Sequence, residues 1–122
     1  MNTLSLIHTL TQCAKHCDEC SAASLHEKHT EHLASCISHT ILCADTCRLT
    51  AKMLLHRAPH QPVMVELCLA ICNSCEASCQ QHNYTHCKEC AIVCRECAAA
   101  CAEFLENYQR TPDAVQSASP PY

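Results

Sequence analysis

Apolar side chains recur along this chain at steps of three and four, the spacing that returns a residue to the same face of an α-helix. Four segments carry such a stripe. The first, over about residues 3–22, runs Leu6, Leu10, Cys13, Cys17, Cys20. Ser24 followed by Glu27 reads as a capping box: the serine accepts from the third helical N–H and the glutamate reaches back, so a second helix is predicted to open there. Its stripe is His29, Leu33, Cys36, Thr40, Cys43, Cys47, Thr50, Leu54. It must stop near Arg57, because Ala58, Pro59, His60, Gln61 and Pro62 form a breaker segment. Pro62 suits the first turn of a third helix, with the stripe Val65, Cys68, Cys72, Cys75, Cys79, His82. After a short connection at 82–84, Thr85 is predicted to cap a fourth helix carrying Cys87, Cys90, Cys94, Cys97, Cys101, Phe104, Tyr108. Residues 111–122 turn to Pro, Ser, Ala and Gln and are predicted to be a mobile tail on a bundle spanning 1–110.

Short connections make consecutive helices antiparallel, so the expected fold is all-α, an up-down-up-down four-helix bundle with a Cys-lined core. The complete absence of glycine favours long helices with few connections, since tight turns and left-handed caps become awkward. This topology gathers Leu6, Leu10, Leu54, Val65, Phe104 and Tyr108 at one end. Cys20, His26, His29, Cys79, His82, His86 and Cys87 collect at the other. One end is expected to be plugged with hydrocarbon and the other to be a mouth lined by His and Cys. Apolar residues off the stripes, Ile37, Ile41, Leu42, Leu49, Ile92 and Val93, point to a subunit interface.

Fifteen cysteines occupy the positions where such a bundle normally places leucine. As packing residues they would be outperformed by leucine and open to oxidation. Disulfides are disfavoured by the odd count and by the geometry of bridging neighbouring turns of one helix. Cys-x-x-x-Cys-x-x-Cys, familiar from iron–sulfur radical enzymes, occurs three times here as a by-product of helical phase, in a chain too short for their barrel. Six pairs have Cys-x-x-x-Cys spacing, which sets Cβ atoms about 5–6 Å apart, so two thiolates can converge on one ion. Cys20, Cys36 and Cys87 need partners on other helices. Soft thiolates select Cu(I), which accepts two or three sulfurs, whereas Zn(II) prefers a closed tetrahedron. Exchanging each thiol proton for Cu(I) keeps the core near neutral, while a tetrathiolate Zn(II) centre leaves a net −2. The cysteines of the fourth helix span roughly 21 Å of helical rise, a column suited to many monovalent ions in series. His29 and His82 continue cysteine stripes and are the preferred histidine ligands; His26 and His86 are further mouth candidates.

The net charge of −4, with scattered basic residues, argues against a nucleic-acid partner. No run reads as long enough to span a membrane, and residues 1–10 lack a basic region and a sustained apolar core. A cytosolic location with reduced thiols is therefore expected.

The repeated Cys-x-x-x-Cys pairs on four helices, with the His-rich mouth and no leader, resemble the bacterial copper storage proteins, in particular their cytosolic branch. The resemblance covers about residues 3–108. It implies a non-enzymatic four-helix bundle, commonly a homotetramer, in which preformed helices hold many Cu(I) ions along the axis and metal enters from one end. Thr40 and Thr50 stand at stripe positions that could have been cysteine, which interrupts the set of sites along the second helix. The competing expectation is a zinc- or redox-responsive helical interaction module, in which cysteine oxidation controls assembly.

Overall fold

The computed structural model describes residues 2–110, so the expected tail at 111–122 lies outside the described residues. Four helices follow one another: α1 (Thr3–Leu25), α2 (Ala34–Leu55), α3 (Gln61–Cys79) and α4 (Thr85–Arg110), with a 3-10 turn (Thr30–Leu33) ahead of α2. Each helix packs on two neighbours. α1 lies beside α2 and α4, α3 lies beside the same two, and among the described residues the diagonal pairs make no close backbone approach. This is the four-cornered, consecutively antiparallel bundle that the stripes predict.

The junction between α1 and α2 departs from the sequence reading. Asn2 caps α1, its Oδ1 accepting from the Ser5 N–H at 2.8 Å. The helix then runs through Ala22, Ala23 and Ser24 to Leu25, and the capping box at Ser24 and Glu27 does not form. The physical reason is the stripe itself: Ser24 lies one turn beyond Cys20 on the inward face and is fully buried. Ala22 and Ala23 just before it and Leu25 just after favour continuing the helix. The Ser24 carbonyl accepts from Thr30 Oγ1 at 2.8 Å, but its own hydroxyl is buried without a partner among the described residues. α2 consequently starts at Ala34, and His29 flanks the 3-10 turn instead of riding the α2 stripe. Similarly, Thr85 is the first residue of α4 and not its cap, while Tyr84 just outside accepts from the Cys87 and Lys88 N–H groups.

At the other turn, α2 ends in a Schellman motif made without glycine. The Arg57 N–H reaches the Leu54 carbonyl at 3.2 Å and the Ala58 N–H reaches that of Met53 at 2.9 Å. This requires Arg57 in the left-handed region, at φ 52, and His60 follows at φ 68 before Pro62 enters the first turn of α3.

Leu6, Leu10, Leu54 and Val65 are buried at the end of the bundle where α1 begins, with Ile7, Phe104 and Leu105 partly buried against them. This is the expected hydrocarbon plug. One expectation is overturned: α3 is long and apolar enough, by length and composition, to cross a membrane. Val65, Cys68, Cys72, Cys75 and Cys79 turn part of that apolar character to the bundle core, while Val63 and Leu67 are exposed. The left-handed C-cap carries a direct consequence for stability. Arg57→Gly relieves a side-chain clash of about 1–2 kcal/mol, partly offset by glycine's greater unfolded-state freedom. A net gain of about 0.5–1 kcal/mol in chemical denaturation of the reduced protein is expected.

Candidate metal centre

Each of the fifteen cysteines is a free thiol with at most 1% of its surface exposed. Their sulfurs interleave across helices more than along them. Cys36 approaches Cys79 at 3.4 Å; Cys17 approaches Cys94 and Cys90 at 3.8 Å each; Cys43 approaches Cys72 and Cys47 approaches Cys68, both at 3.8 Å. Two of the six expected intrahelical pairs, Cys43/Cys47 and Cys90/Cys94, bring their sulfurs to 4.0 Å. The helical stripes set this pattern: each inward thiol meets the neighbouring helices at its own level as readily as the next turn of its own.

Five sets have all their sulfurs within 4.8 Å of one another. From the histidine end inward they are Cys20, Cys36, Cys87; then Cys20, Cys79, Cys90; then Cys17, Cys75, Cys90, Cys94; then Cys13, Cys17, Cys43, Cys94; then Cys13, Cys47, Cys72, Cys97. Cys68 and Cys101 lie beyond, with Cys101 acting on the Cys68 sulfur. Cys20, Cys36 and Cys87 do find one another across three helices. At a metal–sulfur bond of about 2.3 Å, two ligating sulfurs stand about 4.0 Å apart in a trigonal site and about 4.6 Å apart in a linear one. The thiols therefore stand close to ligating positions before any ion arrives. The three four-thiol sets share Cys13, Cys17 and Cys94, so closed tetrahedral centres cannot fill all three without bridging sulfurs.

At the histidine end the structure selects His86. Its Nδ1 lies 3.3 Å from Cys20 Sγ and 3.5 Å from Cys87 Sγ, and its Nε2 lies 2.8 Å from Glu27 Oε2. A neutral His86 donating Nε2–H to the carboxylate turns the Nδ1 lone pair toward the two thiols, the arrangement that prepares imidazole to bind metal. Tyr84 stacks on the ring at 5.4 Å. His82, in the turn after α3, is half-buried and acts electrostatically on Cys36. His29 stands in solvent, stacked on His32 at 5.6 Å and 3.6 Å from Glu31. Stripe continuation ranked His29 and His82 above His86; the stronger signal was adjacency to Cys87 at the start of α4. Glu27, read as part of a cap, is instead the partner of His86. The thiols here lie least deep, Cys87 above all. They are nevertheless covered, with Leu33 buried at the same end, so the mouth is closed in this conformation.

Burial opposes ionisation. It pushes the Cys87 thiol up to about 11, with the charge of Cys36 adding to the effect. Cys36 shifts the other way, held below its ordinary value by hydrogen bonds from Cys20 and Cys79, with His82 contributing. At this end, then, a favoured thiolate sits beside reluctant thiols.

A family model described as copper storage protein matches residues 2–106. The chain belongs to the copper storage protein family. A cysteine-rich protein of Bacillus subtilis (strain 168), YhjQ, is 35% identical over 85 residues, covering 70% of this chain and 79% of its own length. Among solved structures, apo copper storage protein 3 from Bacillus subtilis is similar at 33% identity and a TM-score of 0.80, covering 85% of this chain and 99% of that one. A cytosolic copper storage protein from Streptomyces lividans carrying five coppers is 31% identical with a TM-score of 0.82, covering 85% of this chain and 92% of that one. As in a storage family, and unlike an enzyme, the donors here form a repeating column and not a single constellation.

Two outcomes follow for this copper storage protein. Because the folded-state pKa of Cys87 lies above its ordinary 9.0, its contribution to stability is complete below pH 9.0 and lost as pH rises through about 11. Thermal melts of the reduced, metal-free protein between those values should therefore show a falling Tm. Glu27→Ala frees the His86 ring, and chelator competition should show about tenfold weaker Cu(I) binding at the histidine end, with deeper sites unaltered.

Proposed function

We propose that this protein stores Cu(I) in quantity, at up to about one ion for each of its fifteen cysteines. The observation that carries this reading is the overlap of buried thiol sets along one axis, where each added ion replaces a proton and leaves the column's charge unchanged. The ligands are Cys13, Cys17, Cys20, Cys36, Cys43, Cys47, Cys68, Cys72, Cys75, Cys79, Cys87, Cys90, Cys94, Cys97 and Cys101. His86 and His82 serve the entrance at the less deeply buried end. The exposed position of His29 suits a role in initial capture and not in the column. The five-copper relative supports multiple occupancy, and its cytosolic character supports the same compartment for this chain. There the protein would also lower free copper and so protect the cell.

Ile41, Leu42, Leu49 and Ile92 are exposed at 46–60%, while Ile37 and Val93 pack against the core. The exposed set supports self-association, which family resemblance makes a tetramer. The bundle, residues 1–110, acts as the storage unit, and the net charge of −4 with scattered basic residues speaks against a nucleic-acid partner.

Anaerobic titration of reduced protein against a Cu(I) indicator is the test. Uptake should continue to about fifteen equivalents, one per cysteine, with helical circular dichroism nearly constant because the bundle precedes the metal. Saturation at about three or four equivalents, with strong Zn(II) competition, would favour a zinc site instead.

A further inference from the structure

The overlaps between thiol sets are unequal, and the inequality divides the column. The two outer sets share Cys20 and are also linked by the 3.4 Å contact of Cys36 with Cys79. The two deepest share Cys13 and are also linked by Cys43, 4.0 Å from Cys47 and 3.8 Å from Cys72. Between outer and inner sets, Cys90 is the sole common member among the described residues, and the other thiol interaction across that level is that of Cys75 with Cys79, one turn apart on α3. Cys75 and Cys79 straddle it on α3 but belong to no common set.

The cause of the narrowing is on α2. Thr40 occupies the stripe position between Cys36 and Cys43 and is fully buried. Its hydroxyl proton is committed to the carbonyls of Cys36, at 3.0 Å, and Ile37, at 2.9 Å. α2 therefore offers no soft donor at the level where the outer sets give way to the inner ones.

We propose that Cys90 is the neck of the store, the sulfur on which each Cu(I) passes between the outer and inner thiols. This rests on the copper-storage reading above. An ion held by Cys20, Cys79 and Cys90 keeps its Cys90 bond, gains bonds to Cys17 and Cys94, and loses those to Cys20 and Cys79. The two receiving thiols release two protons and the two vacated thiolates take up two. Copper stays monovalent, nothing is oxidised, and the charge of the column is unchanged. The neck splits the store into five outer thiols, Cys20, Cys36, Cys79, Cys87 and Cys90, and ten inner ones.

Anaerobic stopped-flow uptake, followed by thiolate-to-copper absorption, should show a fast phase for the outer thiols and a slow phase for the inner ones. Cys90→Ser should keep the fast phase and slow the second by about tenfold or more, the effect of a modest rise in the hand-over barrier. Cys75→Ser, which removes an inner thiol from the same set but leaves the neck, should alter the slow rate far less. Thr40→Cys, which restores a soft donor on α2, should accelerate the slow phase and add about one equivalent. Equal slow phases in the Cys90→Ser and Cys75→Ser proteins overturn the proposal. If Cys90→Ser loses its helical circular dichroism, Thr40→Cys decides alone, and an unchanged slow phase overturns it. Failure of the storage reading is distinct, because the wild-type protein would then saturate at a few equivalents before any variant is compared.

Discussion

Burying many ionisable sulfurs in a column bounded by four helices imposes charge neutrality, and the rest of the architecture follows from that requirement. In the metal-free state burial favours the protonated thiol, as at Cys87, with Cys36 shifted the other way by its hydrogen bonds from Cys20 and Cys79, and among the described residues no lysine or arginine is buried in the core. In a loaded state neutrality is met by a monovalent ion in place of each proton. A divalent ion shared among the same thiols would leave unequal charge along the axis, at a desolvation cost that a narrow interior cannot relieve. The repetition of sets along the axis is thus an electrostatic solution as much as a coordination one.

Keeping the metal-free bundle folded falls to a modest amount of hydrocarbon. Leu6, Leu10, Leu54 and Val65 form a fully packed end, and small residues such as Ala14, Ala44, Ala91 and Ala98 let the helices approach one another beside the thiols. Buried cysteine itself contributes as a small hydrophobe, so the sulfurs are packing residues and donors at once. Thr40 and Thr50 fill the remaining inward positions on α2 without leaving unpaired hydroxyls, because each donates to a carbonyl in its own preceding turn. The helices therefore need no ion to hold their places.

Most of this was legible from the sequence because helical phase is a strong signal. Every stripe cysteine is inward, and the leucine and valine end is where the topology puts it. What escaped was local. Ser24 and Glu27 have the spacing of a capping box, but the serine also lies on the buried stripe, and burial outweighed the cap. That displacement moved His29 off α2 and released Glu27 to meet His86, a residue 59 positions away. Contacts of that separation depend on how two helix ends meet, which no periodicity encodes. Likewise, the six Cys-x-x-x-Cys pairs suggested ions held along single helices, whereas most of the short sulfur contacts run across them. Spacing along a chain measures only one of the three directions in which a core is packed.

The hydroxyl of Ser24 gives the molecule a polarity of a different kind. Sealed away without a partner among the described residues, it costs about 1–3 kcal/mol at the thiol end. The adjoining chain there is a single 3-10 turn with weaker hydrogen-bond geometry than the α-helices it joins. The opposite end is packed with branched aliphatics, and its own cost is backbone strain at Arg57 and His60, held in the left-handed region on the surface turn. Local opening is drawn to wherever the folded state holds on least firmly. At the thiol end the burden lies in the interior and not on the surface, so the unmet polar group sits beside the sulfurs that lie nearest to water.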